Sequence, residues 1–388
     1  MIAGQPERAQ ADAAAARIRP ALTARAHPAR PQCAQRRLRG RRNTSLRALG
    51  DPAAAERRPS GGRAAAQRRA RAAQVRALAR PGCQNGGMSP ASSASSSATE
   101  IESRSYIDAH GVRIHYYTWA VENPRAVIQL AHGVGEHALR YLELVGELNK
   151  AGYSVYADDH RGHGRTGFEQ HGGDLDRMGT LGPGGLRATI TALHQFTGII
   201  AAEARATNPD LPLVLLGHSW GSLMSQIIVN KHAEDYDAVI LTGTAYRMIG
   251  YMESGDLNRK HKHLGNTGVE WLSRDPAVHS AFLADPLTTT KSVMKLFGPI
   301  DGLRLLGRPA RNLPPELPLL VQVGSDDSLG AERSALKLIE AYRTRSGLTD
   351  VTLIVYPGAR HEIFNELNRA EVMADTLAWL DERMPPRP

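Results

Sequence analysis

The chain has 388 residues, a formal net charge of +9 at pH 7 and two cysteines, Cys33 and Cys83, which both precede residue 88. The remainder of the chain therefore has no disulfide framework and no cysteine-based metal site. No apolar run reaches the roughly 18 residues of a membrane-spanning helix, and neither Met1 nor Met88 opens a secretory signal, so we expect a cytoplasmic protein.

The positive charge is concentrated in residues 1–87. This segment contains 19 Arg, no Lys, four acidic residues and no Phe, Tyr or Trp, which gives it a charge of +15 and leaves residues 88–388 with −6. Because the segment has few side chains that could form a core, burial would not offset the entropy cost of ordering it. We therefore expect residues 1–99 to be a disordered leader, rich in Arg and Ala, that ends in a Ser-rich linker.

Three interpretations of this leader stay open. Clustered arginines bind phosphate groups, which is typical of an arm for nucleic acid or for an anionic surface. An excess of Arg over acidic residues is also typical of a transit peptide. The third interpretation is that translation starts near Met88, because Arg, Ala, Pro and Gly share GC-rich codons and this composition is typical of GC-rich DNA upstream of a start site.

Residues 100–384 alternate between predicted strands and predicted helices. Two short strands around residues 108–111 predict a hairpin. Apolar segments typical of buried strands occur at residues 126–131, 153–157, 213–216, 237–242, 317–323 and 351–356. Helical patterns occur at residues 142–151, 186–206, 332–345 and 369–383, and directly after residue 221. This alternation predicts an α/β domain with a mostly parallel sheet and helices on both faces.

One long segment, residues 245–313, interrupts the alternation. It contains no strong strand, and it is too long for a plain loop between two strands of a sheet. We expect a helical cap insertion over the C-terminal edge of the sheet. Its apolar residues Met248, Met252 and Trp271 are candidate substrate contacts.

The predicted strand at residues 213–216 runs directly into Gly217-His-Ser-Trp-Gly221. A strand, Gly-x-Ser-x-Gly and a helix in succession are typical of a nucleophile elbow, a tight turn that presents a serine hydroxyl at a helix N-terminus. Gly217 and Gly221 meet the need for small residues on both sides of this turn. Ser219 is therefore the predicted nucleophile.

A serine nucleophile needs a base, and the base needs an acid that orients it. In the chain order Ser, Asp, His, the acid follows a late strand and the histidine follows the last strand. His361 follows the strand at residues 351–356, and Asp326 and Asp327 follow the strand at residues 317–323. Position therefore predicts His361 as the base and Asp327 as the acid, without excluding Asp326.

The oxyanion of a tetrahedral intermediate needs donors that are already in place. One predicted donor is the backbone N–H of Trp220, at the start of the elbow helix. The other is the backbone N–H of Val134, in the glycine-containing loop after an early strand. A phosphate cradle is the alternative for this loop, but the Lys-Ser/Thr pair and the third glycine of phosphate-binding motifs are missing.

Several motifs occur in an order that carries a family resemblance: His132-Gly-Val-Gly-Glu-His137, Arg140-Tyr141, Asp159-His-Arg-Gly-His-Gly-Arg165, Gly217-His-Ser-Trp-Gly221 and Gly358-Ala-Arg-His361. Over about residues 103–381 the chain resembles the monoacylglycerol lipase and lysophospholipase branch of the α/β-hydrolases, with a serine aminopeptidase-type hydrolase domain. The resemblance implies an α/β-hydrolase fold and a triad of Ser219, Asp327 and His361. It favours Asp327 over Asp326, because the family acid lies three residues after a glycine, here Gly324. The chain departs from the family at Ala138-Leu139, where Ser-Gly is usual.

The resemblance implies a serine hydrolase that cleaves a carboxylic ester of a single-chain acyl lipid, such as a monoacylglycerol or a lysophospholipid, through an acyl-enzyme. An amidase or peptidase with the same triad and an esterase for small non-lipid esters stay open. We expect no cofactor and no metal site. Asp158, Asp159, His160 and His163 lack further ligands, and the resemblance implies a structural role for their loop. We also expect no nucleic-acid partner for residues 100–384 and at most transient contact with a membrane surface.

A chain that begins at Met88 is predicted to match the full chain in activity and thermal stability, because the leader contributes neither core residues nor site residues. It should bind a cation exchanger more weakly, since it loses a charge of +15. Thermal unfolding and ester hydrolysis of the two forms check this. A lower melting temperature or lost activity in the shorter form would mean that the leader contacts the catalytic domain.

Overall fold

The computed structural model describes residues 101–385 of the chain. The leader, residues 1–99, lies outside the described residues, so its predicted disorder and the predicted start near Met88 stay predictions. The predicted catalytic domain, residues 100–384, falls almost entirely within the described part.

The strands of the described residues form one sheet. They are β1 Glu102–Ile107, β2 Arg113–Trp119, β3 Ala126–Ala131, β4 Tyr153–Asp158, β5 Leu213–His218, β6 Ala238–Thr242, β7 Leu319–Gly324 and β8 Val351–Tyr356. Their order across the sheet is β1-β2-β4-β3-β5-β6-β7-β8. β2 pairs antiparallel with both β1 and β4, and all other neighbours are parallel. The predicted hairpin and the mostly parallel sheet are confirmed.

Helices connect these strands. They are α1 Leu142–Lys150, α2 Gly164–Gln170, α3 Gly185–Thr207, α4 Trp220–His232, α5 Pro276–Ala284, α6 Val293–Arg304, α7 Ala331–Ala341 and α8 Arg369–Arg383. The helices predicted between strands are confirmed as α1, α3, α4, α7 and α8. The sequence does not predict α2, because this short helix contains two glycines and no apolar period. Among the described residues, no helix combines the length and the apolarity that crossing a bilayer requires.

The central strands bury both of their faces, because successive side chains of a strand point to opposite sides of the sheet. On β5, Leu213 and Leu215 pack in one core cluster with α3, α4 and α7. Val214 and Leu216 pack in a second cluster with α1 and α8. Each such buried leucine stabilises the fold by on the order of 2 kcal/mol. The continuous apolar run of β5 therefore follows from its two buried faces.

Residues 245–313 contain α5 and α6 and no strand, but they are less helical than predicted, because residues 245–275 are largely irregular. Helix α5 begins where the Asp275 side chain accepts a hydrogen bond from the Ala277 N–H, with Pro276 as first helical residue. Helix α6 is kinked at Gly298, whose φ is 73°. A small apolar cluster of Val269, Leu272, Phe282 and Trp271 packs within this segment. The segment is named the cap below.

The sheet order determines where a site can form. β3 and β5 are neighbours, and the strand order runs in opposite directions on either side of them. Ligands of open α/β sheets bind at the carboxyl ends of strands next to such a reversal. The loops after β3, β5, β7 and β8 meet at this edge, and they carry the predicted triad and oxyanion residues.

Candidate active site

Ser219 lies in the turn between β5 and α4. Its backbone has φ 51° and ψ −122°, outside the regions that L-residues usually adopt, so the turn is strained. A Cβ on Gly217 would lie only 2.8 Å from the Cα of Ser222, and a Cβ on Gly221 would overlap the backbone at the end of β3. The Ser219 N–H donates to the carbonyl oxygen of Thr242 at 2.9 Å. Both predicted elbow glycines are thus required sterically, and a hydrogen bond to β6 holds the strained residue.

The Ser219 hydroxyl faces the imidazole of His361. The Oγ of Ser219 lies 2.7 Å from Nε2 of His361, and Nδ1 of that ring lies 3.0 Å from each carboxylate oxygen of Asp327. All three residues are buried. Because the carboxylate accepts a hydrogen bond from Nδ1–H, Nε2 is the nitrogen that is free to accept the serine proton. The structure therefore brings the three predicted triad residues into contact.

The electrostatics of this pair favour a protonated imidazole beside a carboxylate. Burial alone would lower the pKa of His361, but the charge and hydrogen bond of Asp327 outweigh it and raise that pKa above its usual value. Burial alone would raise the pKa of Asp327, but His361 holds it below its usual range. The arrangement therefore stabilises a proton on His361 next to the ionised carboxylate of Asp327.

The side chain of Asp326 points away from His361. Its carboxylate pairs with Lys260 and lies 3.7 Å from Nδ1 of His261, both in the cap. Its side chain is 35% exposed, whereas the side chain of Asp327 is 0% exposed. The geometry thus favours Asp327 as the orienting acid and gives Asp326 a contact with the cap.

The loop after β3 lies against the serine. A Cβ on Gly133 would lie 3.1 Å from the Cβ of Ser219, so this close approach needs a glycine. Val134 and Trp220 line the same cavity as Ser219. Trp220 is the first residue of α4, so its N–H has no acceptor within the helix, whereas the Gly133 N–H already donates to Glu136 at 2.7 Å. Val134 and Trp220 therefore stay the candidate oxyanion donors.

The loop after β4 supports the loop after β3, residues 132–137, which contains the candidate donor Val134 and is named the oxyanion loop below. Asp159 accepts hydrogen bonds from the backbone N–H groups of Ala138 at 3.0 Å and Arg165 at 2.7 Å. The His160 N–H donates to Nε2 of His132 at 3.0 Å. These bonds connect three turns of the chain beside Ser219, which agrees with the structural role that the resemblance implies for this loop. They also involve Ala138, one of the two positions at which the chain departs from its family.

Arg140 joins the two loops that flank the serine. Its guanidinium donates to both carboxylate oxygens of Glu362, at 2.7 and 2.8 Å, and to Glu136 at 2.6 Å. Glu362 directly follows His361, and Glu136 holds the N–H of Gly133. Arg140 therefore ties the loop of the base to the oxyanion loop. The Arg140-Tyr141 motif by itself gives this arginine no role, because nothing in the neighbouring sequence indicates its distant partner Glu362.

Burial strengthens this network. Burial alone would raise the pKa of Glu362, but the facing Arg140 guanidinium outweighs it and lowers that pKa to about 2. Glu136 is likewise buried, so loss of Arg140 would leave two carboxylates unpaired in the interior, which costs about 3–5 kcal/mol for a broken buried pair. The guanidinium also stacks 4.8 Å above the ring of Phe282 in the cap. One cation thus contacts the oxyanion loop, the histidine loop and the cap.

Two adjoining cavities lie between the cap and the sheet edge. The first, of about 160 Å³, is lined by Ser219 and His361. The second is larger, about 990 Å³, and is lined mainly by apolar side chains. The residues that line both cavities include Leu223, Glu253, Leu257, Val293, Leu305 and Leu329. The serine therefore lies beside a space large enough for an extended apolar group.

The three predicted cap contacts occupy different places. Trp271 lines the first cavity, with its ring 4.7 Å from that of His361. Met252 lines the second cavity. Met248 is not among the residues that line either cavity, and its side chain packs against the core on the α3 and α4 side of the sheet. The reason is that the cap is still attached to the sheet here, since the Tyr246 N–H donates to Ser334 of α7 at 2.8 Å.

This combination of sheet topology and Ser–His–Asp geometry defines the α/β-hydrolase class of serine hydrolases. Residues 122–368 match the family described as serine aminopeptidase, S33, and the chain belongs to this family.

Named relatives fall within the same class. A monoacylglycerol lipase of Mycolicibacterium smegmatis is 33% identical over 297 residues, which cover 73% of this chain and 98% of the lipase. A monoglyceride lipase of Mus musculus is 27% identical over 278 residues, 67% of this chain and 84% of the relative. The structure of a thermostable carboxyl esterase from Bacillus coagulans, in complex with glycerol, superposes with a TM-score of 0.60 at 23% identity and covers 73% of this chain and 99% of the esterase. That structure supports the fold alone.

The first prediction from this geometry separates the two neighbouring aspartates. Asp327→Asn is expected to lower kcat by roughly four orders of magnitude, because an amide does not hold the productive imidazole tautomer. Asp326→Asn should leave kcat within a few-fold, since that carboxylate faces Lys260 and solvent. The measurement is kcat on one p-nitrophenyl ester, with thermal unfolding to verify both folds. A larger loss in Asp326→Asn would reverse the assignment.

The second prediction concerns Arg140. Arg140→Lys keeps the charge but loses the bidentate contact with Glu362, so kcat should fall by roughly tenfold or more while KM changes little. Arg369→Lys is the matched control, because Arg369 pairs with Glu143 on the surface, where an ion pair contributes little. Steady-state kinetics and melting temperatures of both variants give the answer. If Arg140→Lys only lowers the melting temperature, the network has no positioning role.

Proposed function

We propose that this protein hydrolyses a carboxylic ester of a single-chain acyl lipid, such as a monoacylglycerol or a lysophospholipid, through an acyl-enzyme intermediate. The enzyme class, a carboxylic ester hydrolase, agrees with the monoacylglycerol lipase and monoglyceride lipase among its relatives. The observation that carries the proposal is the 2.7 Å contact between Ser219 and His361 beside the large apolar cavity.

In the first half of the reaction, the Oγ of Ser219 attacks the carbonyl carbon of the ester and its proton passes to Nε2 of His361. The tetrahedral oxyanion accepts hydrogen bonds from the N–H groups of Val134 and Trp220. Collapse breaks the bond to the leaving alcohol, which takes the proton back from His361. The acyl group is then bound to the serine as an ester.

In the second half, His361 accepts a proton from a water molecule that attacks the acyl-enzyme. The same backbone donors hold the second oxyanion, and its collapse returns the proton to Ser219 and releases the fatty acid. Asp327 stabilises the imidazolium in both halves. Because neutral His361 is the base and its pKa is raised, kcat/KM should decline as the pH falls through that raised pKa.

The second cavity is the proposed site of the acyl chain. Its volume of about 990 Å³ and its lining by Leu223, Met252 and Leu303 suit a hydrocarbon. Each buried methylene contributes about 0.8 kcal/mol, which corresponds to about fourfold in kcat/KM until the cavity is full. The cap therefore sets the preference for chain length, and the smaller first cavity accepts a small or polar head group.

An amidase or peptidase activity is the second candidate. The description of the family, serine aminopeptidase, favours it. Glu253 and Asp256 line both cavities. Their carboxylates pair with Arg259 and Lys262, and they would exchange these partners to bind the ammonium group of an aminoacyl substrate. A small non-lipid ester would use the first cavity alone and leave the second without a role.

The remaining expectations belong to the same proposal. The substrate is a small-molecule acyl ester, and the reaction uses no cofactor. A cytoplasmic location, the absence of a nucleic-acid partner for residues 100–384 and at most transient contact with a membrane surface follow from the sequence alone.

The test is kcat/KM for p-nitrophenyl esters of graded chain length, with monoacylglycerols, lysophospholipids, triacylglycerols and aminoacyl amides in the same assay. We expect kcat/KM to rise with chain length and then level off, and triacylglycerols to be poor substrates. Met252→Trp should shift the optimum toward shorter chains, because it reduces the second cavity. Ser219→Ala measures the background and should lose nearly all activity.

Leu283→Trp is the matched control for Met252→Trp. Leu283 belongs to the cap, is 39% exposed and does not line either cavity. Its variant should retain the chain-length profile of the wild type. A flat profile for the wild type, or faster cleavage of aminoacyl amides than of any ester, would refute the lipid ester proposal. Hydrolysis by Ser219→Ala at the wild-type rate would refute the mechanism itself.

A further inference from the structure

Three side chains outside the triad lie close together beside α3 and the end of α4: His194, His232 and Asp235. Their potential ligand atoms, two imidazole nitrogens and one carboxylate oxygen, all lie within 4.8 Å of one another. Nε2 of His194 is 2.7 Å from Oδ2 of Asp235. The rings of His194 and His232 stack with centroids 3.8 Å apart. The potential ligand atoms therefore lie close enough together for side-chain rotation to bring them to a single ion.

The fold brings these residues together from three elements. His194 lies in α3, His232 is the last residue of α4, and Asp235 ends a 3₁₀ turn, Ala233–Asp235, that leads to β6. The two helices pack side by side on one face of the sheet. The two histidines are 38 positions apart in the sequence, so the cluster matches no short metal-binding motif. A metal site is therefore not predicted from the sequence.

The cluster is accessible to an ion from solvent. All three residues are partly buried, and the side chains of His194 and Asp235 are 31% and 41% exposed. Partial burial restricts the side chains, while the open side leaves room for a water molecule as a fourth ligand. The position at the C-terminal end of α4 also favours a cation, because the last carbonyl groups of a helix carry partial negative charge.

We propose that His194, His232 and Asp235 form a binding site for a divalent transition-metal ion of the zinc class. Two imidazoles and a carboxylate are ligands that Zn²⁺ prefers, whereas Mg²⁺ and Ca²⁺ favour sites made of oxygen ligands. Ligand atoms of a tetrahedral zinc site at about 2.0–2.1 Å from the metal are about 3.3 Å apart. Because an imidazole binds a metal along the in-plane lone pair of its nitrogen, one of the two stacked rings has to rotate out of the stack to reach this geometry, and the ion then replaces the hydrogen bond between His194 and Asp235.

The ion would connect elements that the chain joins only through a long path. It would fasten α3 to the end of α4, and because it binds the folded arrangement and not the unfolded chain, its binding free energy would add to the stability of the fold. Helix α4 begins at Trp220, a candidate oxyanion donor, but its other end holds the metal site. We therefore expect binding to raise thermal stability and to leave the chemistry at Ser219 unchanged.

The test is a zinc titration of the full chain after treatment with a chelator, by calorimetry and by thermal unfolding. We expect one saturable site and a melting temperature that rises by about 5 °C at a zinc concentration a hundredfold above Kd. His232→Gln and, separately, Asp235→Asn should weaken zinc binding by roughly tenfold or more and reduce the rise. His263→Gln, an exposed histidine of the cap, is the matched control and should bind zinc as the wild type does.

A second readout identifies the ligands. Co²⁺ in a tetrahedral site with nitrogen and oxygen ligands absorbs visible light strongly, so the wild type and His263→Gln should develop this absorption and His232→Gln should not. His232→Gln and Asp235→Asn remove different ligands, so the test remains valid if one of the two variants fails to fold. Equal zinc affinity in wild type, His232→Gln and Asp235→Asn, or no change of melting temperature with zinc in the wild type, would overturn the proposal. Zinc inhibition that is equal in all variants would place the ion at the catalytic histidine instead.

Discussion

The turn that carries Ser219 can form only because the residues on either side of it have no side chains. A Cβ at Gly217 or Gly221 would meet backbone atoms of the same turn or of β3, and Ser219 itself has a positive φ. Such a conformation costs about 1–3 kcal/mol. The buried apolar residues of β5 and the hydrogen bond from the Ser219 N–H to Thr242 offset this cost. The strain is stored where the hydroxyl must stand clear of the backbone to meet His361.

A second constraint is the buried charge of Arg140. A guanidinium with two carboxylate partners inside a protein is stable only if every partner is held in place, and Glu136 and Glu362 belong to different loops of the site. The cap is tied to the same region by the stacking of Phe282 on Arg140 and by the bond between His137 and Asp285 at 2.8 Å. A movement of the cap would therefore also move the oxyanion loop. In the proposed function, this coupling joins the part of the fold that binds the acyl chain to the part that holds the oxyanion.

In the proposed function, different parts of the fold determine the choice of substrate and the chemical reaction. The sheet edge carries the proposed nucleophile, the proposed base and the candidate oxyanion donors, a set of groups that can act on esters and amides alike. The cap supplies Trp271 beside His361 and the walls of the larger cavity. Its irregular part, residues 245–275, follows no repeating pattern, so its apolar side chains adopt positions set by packing. This explains why Met252 lines a cavity while Met248, four residues earlier, packs against the core.

The sequence by itself determined the strands, most of the helices and the order of the predicted site residues. Strand β8 and helix α8 have the predicted bounds, and Ser219 and His361 follow from their places after β5 and β8. Apolar periodicity is a local property of the sequence, and the order of the motifs is a property of the chain, so both can be recognised without a structure. The family resemblance favours Asp327, but only the tertiary structure shows that this aspartate and not Asp326 faces His361. The tertiary structure alone decided that Arg140 reaches Glu362 and that His194 meets Asp235. Each of these contacts joins residues that are distant in the sequence. The distances between them depend on how separate loops and helices pack, and no local sequence pattern determines that packing.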